Sequence, residues 1–114
     1  MEDLHTMPVE PLGSDEAALS SEEVRSWLTN IPDWTLDETD PVIRLKREFK
    51  FANFDSALAF TNRVGALAEQ QDHHPAILTE WGRVTVTWWT HELGGLHLND
   101  FISAAKTDGL YHLD

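Results

Sequence analysis

Apolar residues recur along this chain with a helical period in three segments and with an alternating period in two pairs of segments. The first helical stripe is apolar at four positions: Val24, Trp27, Leu28 and Ile31. This three- and four-residue spacing is typical of one face of a helix. Ser20 and Glu23 precede the stripe in the S-x-x-E spacing of a capping box. The pattern predicts a helix that begins after Ser20 and is ended by Pro32.

Two pairs of alternating segments predict antiparallel hairpins. The first pair joins a short strand at residues 34–36 to a longer one at residues 42–51, whose apolar odd positions are interrupted by Arg47. The second pair joins residues 76–80 to residues 83–90, which are rich in β-branched and aromatic side chains. Such residues favour strands.

Two further helical stripes lie before and after the second hairpin. The first, at residues 54–71, follows Asn53, a favourable N-cap, and the second is predicted at residues 98–108. Gly109 is expected to be the C-cap of the last helix. The order α-β-β-α-β-β-α predicts an α+β fold, a four-stranded antiparallel sheet with three helices packed on one face.

Acidic residues are concentrated at the front of the chain. The 114 residues include 20 Asp or Glu and 8 Lys or Arg, a formal net charge of −12. Eleven of the acids lie in residues 1–40, where Arg25 is the only base. This balance argues against a nucleic-acid partner. Residues 1–18 show no period and are predicted to be an acidic flexible arm, followed by a folded domain at residues 19–114.

The arm and the general composition indicate which partners and which locations the protein is expected to have. The simplest role of the arm is to increase solubility, and docking to a basic partner is an alternative without positive support. No apolar run approaches the roughly 18 residues that a membrane span needs, and the acidic start lacks the features of a signal peptide. The chain has no cysteine, which excludes disulfides and thiolate chemistry. We expect a cytoplasmic protein with no membrane partner.

Three histidines carry the candidate chemistry. His73 and His74 are adjacent at the end of the second predicted helix, and His91 follows the last predicted strand. The second hairpin returns His91 toward the histidine pair, so we expect all three imidazoles in one cleft. Glu69, one helical turn earlier, can lie over His73. Asp100 can approach once the glycine pair at residues 94–95 lets the chain fold back.

Two kinds of chemistry fit a histidine cluster of this type. Histidine is a common zinc ligand, but adjacent side chains in extended chain point to opposite sides, and no H-E-x-x-H or H-x-H motif is present. General acid–base catalysis fits better, because an imidazole can take or give a proton near neutral pH. Elimination of water needs both of these roles. We therefore expect no metal and no cofactor.

The two histidine segments together form a specific motif. It resembles the pterin-4a-carbinolamine dehydratase family, also called DCoH-like, in Glu69-x-x-x-His73-His74-Pro75, Val84-x-Val86-x-Trp88-x-Thr90-His91-Glu92-x-Gly94-Gly95-Leu96 and Asp100. The resemblance covers roughly residues 19–111. It implies dehydration of 4a-hydroxytetrahydrobiopterin to quinonoid dihydrobiopterin, which recycles the cofactor of aromatic amino acid hydroxylases. The pterin is then the small-molecule partner, and the family uses no metal.

The resemblance also implies roles for the three histidines. His73 and His91 would transfer protons, and His74 would position the substrate and support catalysis. An imidazolium would protonate the departing 4a-hydroxyl while N5 of the pterin loses its proton. No covalent intermediate is needed.

Four further residues are implied to bind the substrate. Glu69 and Asp100 would orient the imidazoles or meet the polar edge of the pterin. Pro75 would fix the turn that presents the histidine pair, and Thr90 would shape the pocket. His97 stands where the family often has a Thr or Ser cap, which leaves the start of the last helix open.

The fold that the resemblance implies also serves proteins without catalysis. These include a transcription-factor dimerisation cofactor and Rubisco-assembly-factor-like proteins, so a non-enzymatic dimerisation or assembly role is the alternative. Such a scaffold does not need the histidine set, which is intact here. An open sheet face with short edge strands favours a homodimer or a homotetramer. The other histidines, His5, His97 and His112, are expected to be incidental.

Overall fold

A computed structural model describes residues 3–111 and contains the predicted elements in the predicted order. These elements are α1 (Ser21–Leu28), β1 (Thr35–Asp37), β2 (Arg44–Lys50), α2 (Phe54–Gln71), β3 (Ala76–Glu80), β4 (Arg83–Trp88) and α3 (Leu98–Tyr111). The α+β class is confirmed. Residues 1–2 and 112–114, which include His112 and the predicted end of the domain, lie outside the described residues.

The four strands form one antiparallel sheet in the order β1-β2-β4-β3. Both predicted hairpins are present, and β2 joins them by pairing with β4. Leu45 lies opposite Trp88 and Phe49 opposite Val84, so the large apolar side chains share the face that α2 and α3 cover. The last strand ends before the predicted Thr90, which instead pairs with Gly95 in an isolated bridge.

The predicted helix starts are confirmed by their capping hydrogen bonds. Ser20 and Glu23 form the reciprocal capping box of α1, and the Asn53 side chain accepts the N–H of Ser56 at 2.8 Å. The first helix ends earlier than predicted, because the N–H groups of Asn30 and Ile31 bond only three residues back and tighten the chain into turns. No helix of the described residues is long and apolar enough to cross a membrane.

Arg47, which interrupts the apolar positions of β2, is compensated by a carboxylate of α3. Its Nη1 donates to Asp108 Oδ1 at 2.6 Å, and Trp34 Nε1–H donates to the same oxygen at 2.8 Å. Burial raises the pKa of the Asp108 carboxyl, although Trp34 and Arg47 both favour its ionised form. The cost of desolvation therefore outweighs the attraction, as in many buried ion pairs. Breaking the pair would still leave the Arg47 guanidinium without its closest acceptor.

Asp108→Ala is expected to lower the free energy of unfolding by about 2–3 kcal/mol, because one partner of a buried pair is lost. Asp33 provides a matched control, since its carboxylate lies 3.7 Å from Arg47 but its side chain is 69% exposed. Asp33→Ala should cost less than about 0.5 kcal/mol. Urea unfolding at neutral pH measures both values, and equal losses would contradict the assignment.

The N-terminal segment packs against α3 and runs antiparallel to it. Leu4 is buried in the core, and Lys106 Nζ donates to the carbonyl of His5 at 3.0 Å. The His5 ring occupies the space beside Gly109, where an added Cβ would stand 2.5 Å from His5 Nε2. Gly109 is not a C-cap, because α3 continues to Tyr111; the glycine permits this close approach instead. The predicted boundary at residue 18 and the flexibility of the arm stay predictions.

Candidate active site

The end of α2 turns the two adjacent histidines to different environments. Asp72 adopts a left-handed conformation with φ 53° and ψ 42°, and its N–H bonds back to Ala68 and Glu69. Aspartate is one of the few residues other than glycine that tolerate this conformation. The side chain of His73 is then only 14% exposed, whereas that of His74 is 53% exposed.

Asp100 is the buried centre of the site. Its side chain is fully buried, and Oδ1 lies 2.7 Å from His73 Nε2. Its other oxygen accepts the Thr90 hydroxyl at 2.7 Å and the backbone N–H of His97 at 3.0 Å. Because a carboxylate only accepts, the neutral His73 ring carries its proton on Nε2. Its Nδ1 has no hydrogen-bond partner among residues 3–111.

The start of α3 explains how Asp100 reaches this position. His97 caps the helix with its ring, since Nδ1 accepts the N–H of Asn99 at 3.0 Å. Asp100, in the third position of the helix, accepts the N–H of His97 in return. The arrangement resembles a capping box, with an imidazole in place of the hydroxyl and with the N–H of the second helical residue in place of the third. His97, expected to be incidental, therefore has a structural role.

The ring of His73 is also supported on its face by the core. It stacks on Trp88 with ring centroids 5.3 Å apart and an interplanar angle of 25°. Trp88 is fully buried, and its Nε1–H donates to Thr107 Oγ1 at 3.1 Å. A carboxylate on one edge and an indole on one face together fix the orientation of this imidazole.

Glu69 contacts His74 and not His73. Its Oε2 bonds His74 Nε2, and the two side chains are 78% and 53% exposed. The predicted position of Glu69 over His73 is therefore wrong. The left-handed turn at Asp72 directs His73 toward α3 and leaves His74 beside Glu69.

His91 lies in the short 3-10 turn that follows β4. Its Nδ1 accepts the indole N–H of Trp89 at 3.3 Å, and the two ring centroids are 4.6 Å apart. The guanidinium of Arg44 lies 4.1 Å from the Trp89 ring centroid. Gly94 closes the turn with a φ of 63°, a conformation that favours glycine. The exposed His91 ring is thus oriented by its neighbour in the chain.

A cavity of about 630 Å³ lies beside His73, within the roughly 300–1,000 Å³ typical of ligand pockets. Thr90 lines it with His73, and Asp100 lies behind both. His74 and His91 are sequence neighbours of lining residues, but their rings bond Glu69 and Trp89 instead. The lining of this cavity therefore includes one of the three imidazoles, and the meeting of all three in one cleft stays a prediction. Pro75 is half-buried outside the lining.

Several residues of the cavity wall were not predicted from the sequence. Four are polar side chains of the domain: Gln71, Asp72, Glu92 and Asn99. Others belong to the arm, at residues 9–14 and Glu16. Only Asp72, an acid directly before the histidine pair, carries a signal that the sequence could have shown. Within residues 3–111, no three side chains of the kind that bind metals converge on one point.

Comparison with known proteins places this arrangement in a family. The model of the family described as pterin 4 alpha carbinolamine dehydratase matches residues 17–110. The chain belongs to this family. A dehydratase-family protein from Nitrosococcus oceani is 57% identical over 110 residues, 96% of this chain and 97% of the relative. One from Microcystis aeruginosa is 51% identical over 111 residues, 97% and 96% of the two chains. Both are provisionally named pterin-4-alpha-carbinolamine dehydratases.

Two solved structures of similar proteins show the same fold. One, described as a transcriptional coactivator/pterin dehydratase from Brucella melitensis, matches with a TM-score of 0.75 and 29% identity over 82% of this chain and 97% of that chain. The other is described as a pterin dehydratase-like protein acting as a RuBisCO assembly factor in the alpha-carboxysome. It matches with a TM-score of 0.59 and 24% identity over 69% of this chain and 89% of that one, and this second likeness concerns the fold alone.

Proposed function

We propose that this protein dehydrates 4a-hydroxytetrahydrobiopterin to quinonoid dihydrobiopterin by histidine acid–base catalysis, without a metal or a cofactor. The observation that carries the proposal is the His73–Asp100 pair in the wall of a ligand-sized cavity. Its setting in a member of the pterin dehydratase family supports the choice of substrate. The reaction would recycle the cofactor of aromatic amino acid hydroxylases, and the cytoplasm is its expected location.

In each of the three histidines, one ring nitrogen is held by a hydrogen bond to a neighbouring side chain, and the other is available to the substrate. Carboxylates hold Nε2 of His73 and of His74, so each neutral ring presents a basic Nδ1. The Trp89 N–H holds Nδ1 of His91, so the neutral ring carries its proton on the available Nε2. The hydrogen-bond partners therefore separate a basic pair from a proton donor, the two roles that the dehydration needs.

The proposed reaction moves one proton from nitrogen to oxygen. His73 Nδ1 takes the proton from N5 of the pterin, and the N–H bonding electrons form the C4a=N5 double bond. The C4a–O bond breaks, and the departing hydroxide receives a proton from Nε2–H of His91 to leave as water. The His91 ring enters this step as the imidazolium and leaves it neutral. Exchange with solvent returns both rings to their starting state, so no oxidant or metal is required. His74, held by Glu69, supports the pterin beside His73.

The non-enzymatic alternative is an assembly or dimerisation protein on the same fold. Neither role requires a fully buried carboxylate that orients a histidine at a cavity wall, which favours the enzyme. A homodimer or homotetramer stays a prediction for either function. Light scattering of the purified protein would measure its mass in solution.

Stopped-flow measurement of dehydration tests the proposal with chemically generated 4a-hydroxytetrahydrobiopterin. The parent should exceed the uncatalysed rate. His74→Ala should lower kcat by about 100-fold, because the loss of a residue that positions the substrate can misplace the reacting atoms by about 1 Å. Gln70→Ala, at an exposed neighbour outside the cavity, should match the parent. A folded parent that gives no acceleration would reject the enzyme and leave the scaffold.

A further inference from the structure

The cavity beside His73 has two walls of different origin. One wall belongs to the domain and includes His73 and Thr90, and the other is formed by residues 9–14 and Glu16 of the arm. The family model begins at residue 17, so the second wall lies outside the pattern that the family shares. We propose that this arm segment is a substrate-binding wall that holds the pterin against His73. The inference rests on the proposed function, because it takes the pterin as the ligand.

Two tethers hold the arm segment over the cavity. Asn99 Oδ1 accepts the N–H of Glu10 at 3.1 Å, and Asn99 Nδ2 donates to the Glu10 carbonyl at 2.8 Å. At the other end, Glu16 Oε2 lies 3.2 Å from His97 Nε2. His97 also caps α3 and bonds Asp100. The arm and the carboxylate that orients His73 thus share one support.

The cavity offers one acceptor from each wall, and these acceptors match the donors of a pterin. One oxygen of Glu16 bonds His97, and its Oε1 has no hydrogen-bond partner among residues 3–111. Gln71 lines the same cavity, and its buried Oε1 also lacks a partner within the described part of the chain. The pyrimidine edge of a pterin presents N–H donors at its 2-amino group and at N3. A buried acceptor without a partner is costly, so a ligand that donates to Gln71 Oε1 fits the cavity.

The similar proteins differ in how much of this chain they match. The match to the Nitrosococcus oceani protein covers 96% of this chain and 97% of the relative, so most of the arm has a counterpart there. The Brucella melitensis structure is covered almost completely, at 97%, yet matches only 82% of this chain. Most of the arm therefore has a counterpart in the relatives that match nearly the whole chain.

A cysteine introduced into the arm can report whether a pterin contacts it, because the chain has no other cysteine. Ser14 is exposed and lines the cavity, whereas Ser26 is exposed on α1 outside it. Saturating biopterin should slow maleimide alkylation of Ser14→Cys by about fivefold or more, because pocket ligands are largely covered by the residues around them. Alkylation of Ser26→Cys should not change.

Two adjacent acids provide a second, kinetic test. Glu16→Gln should raise KM by about tenfold and change kcat less than about twofold, as the loss of a charged hydrogen bond to the bound substrate predicts. Asp15→Asn, at an exposed position outside the cavity wall, should leave KM unchanged.

The outcomes separate this inference from the proposed function. An active parent whose Ser14→Cys thiol is not protected, with an unchanged KM in Glu16→Gln, overturns the substrate-binding wall and leaves the dehydratase. Protection of the Ser14→Cys thiol by biopterin, together with an inactive parent, supports the wall and overturns the catalysis. An inactive parent together with an unprotected Ser14→Cys thiol overturns both.

Discussion

Asp100→Asn is expected to lower kcat for dehydration by about 1,000-fold while the fold is retained, a loss within the range of acid–base groups. The backbone N–H of His97 is a fixed donor, so the single amide oxygen of the variant must face it. The amide nitrogen then points at His73 and donates to Nε2. This forces the ring proton onto Nδ1 and removes the basic nitrogen that the reaction needs. In serine proteases, the Asp→Asn substitution of the carboxylate that bonds the catalytic histidine lowers kcat by about 10⁴-fold for the same reason.

Two measurements separate the change of tautomer from a loss of structure. The ¹⁵N chemical shifts of the His73 ring should show that the ring proton lies on Nδ1 in Asp100→Asn and on Nε2 in the parent. Urea unfolding should show that the free energy of unfolding falls by no more than about 1 kcal/mol. Asp72→Asn is a control at an exposed carboxylate of the same cavity and should keep the parent tautomer. A kcat of Asp100→Asn within threefold of the parent would contradict the role of Asp100.

The sequence predicted those parts of the fold that depend on neighbouring residues. Ser20 and Glu23 cap α1 as predicted, and Asn53 caps α2, because each signal acts within three residues. The two hairpins were also predicted correctly, since alternation determines which side chains share a face. Arg47 appeared as an interruption of this pattern. Its partner Asp108 lies 61 residues away, so the local pattern could not reveal the pair.

The partners of the histidines could not be predicted by the same means. Helical spacing favoured a contact of Glu69 with His73, but the left-handed turn at Asp72 gives His74 to Glu69. The sequence leaves the start of α3 open, because a histidine is a weak cap by composition, and it therefore leaves the position of Asp100 open as well. In the structure the ring of His97 is an effective acceptor and fixes this carboxylate. These contacts depend on the tertiary arrangement of α2 and α3.

Trp88→Ala is expected to lower the free energy of unfolding by about 3–5 kcal/mol, the usual cost of removing a large buried aromatic side chain. Trp88 lies opposite Leu45 in the sheet, is fully buried and bonds Thr107. The loss is a large fraction of the roughly 5–15 kcal/mol that stabilises a typical domain. Trp81→Ala is the matched control, because this side chain is 73% exposed, and should cost less than about 0.5 kcal/mol. Similar urea midpoints for the two variants would contradict the prediction.

Smaller changes at Trp88 can separate its packing from its contact with His73. Trp88→Phe and Trp88→Leu both lose the N–H that bonds Thr107, but only phenylalanine keeps an aromatic face under the imidazole. The Thr107 hydroxyl still donates to the Ser103 carbonyl in either variant. If stacking orients His73, kcat should be about 2–10 times higher in Trp88→Phe than in Trp88→Leu. This ratio corresponds to the energy of an aromatic pair. Equal kcat values at a temperature where both are folded would show that Asp100 alone orients the ring.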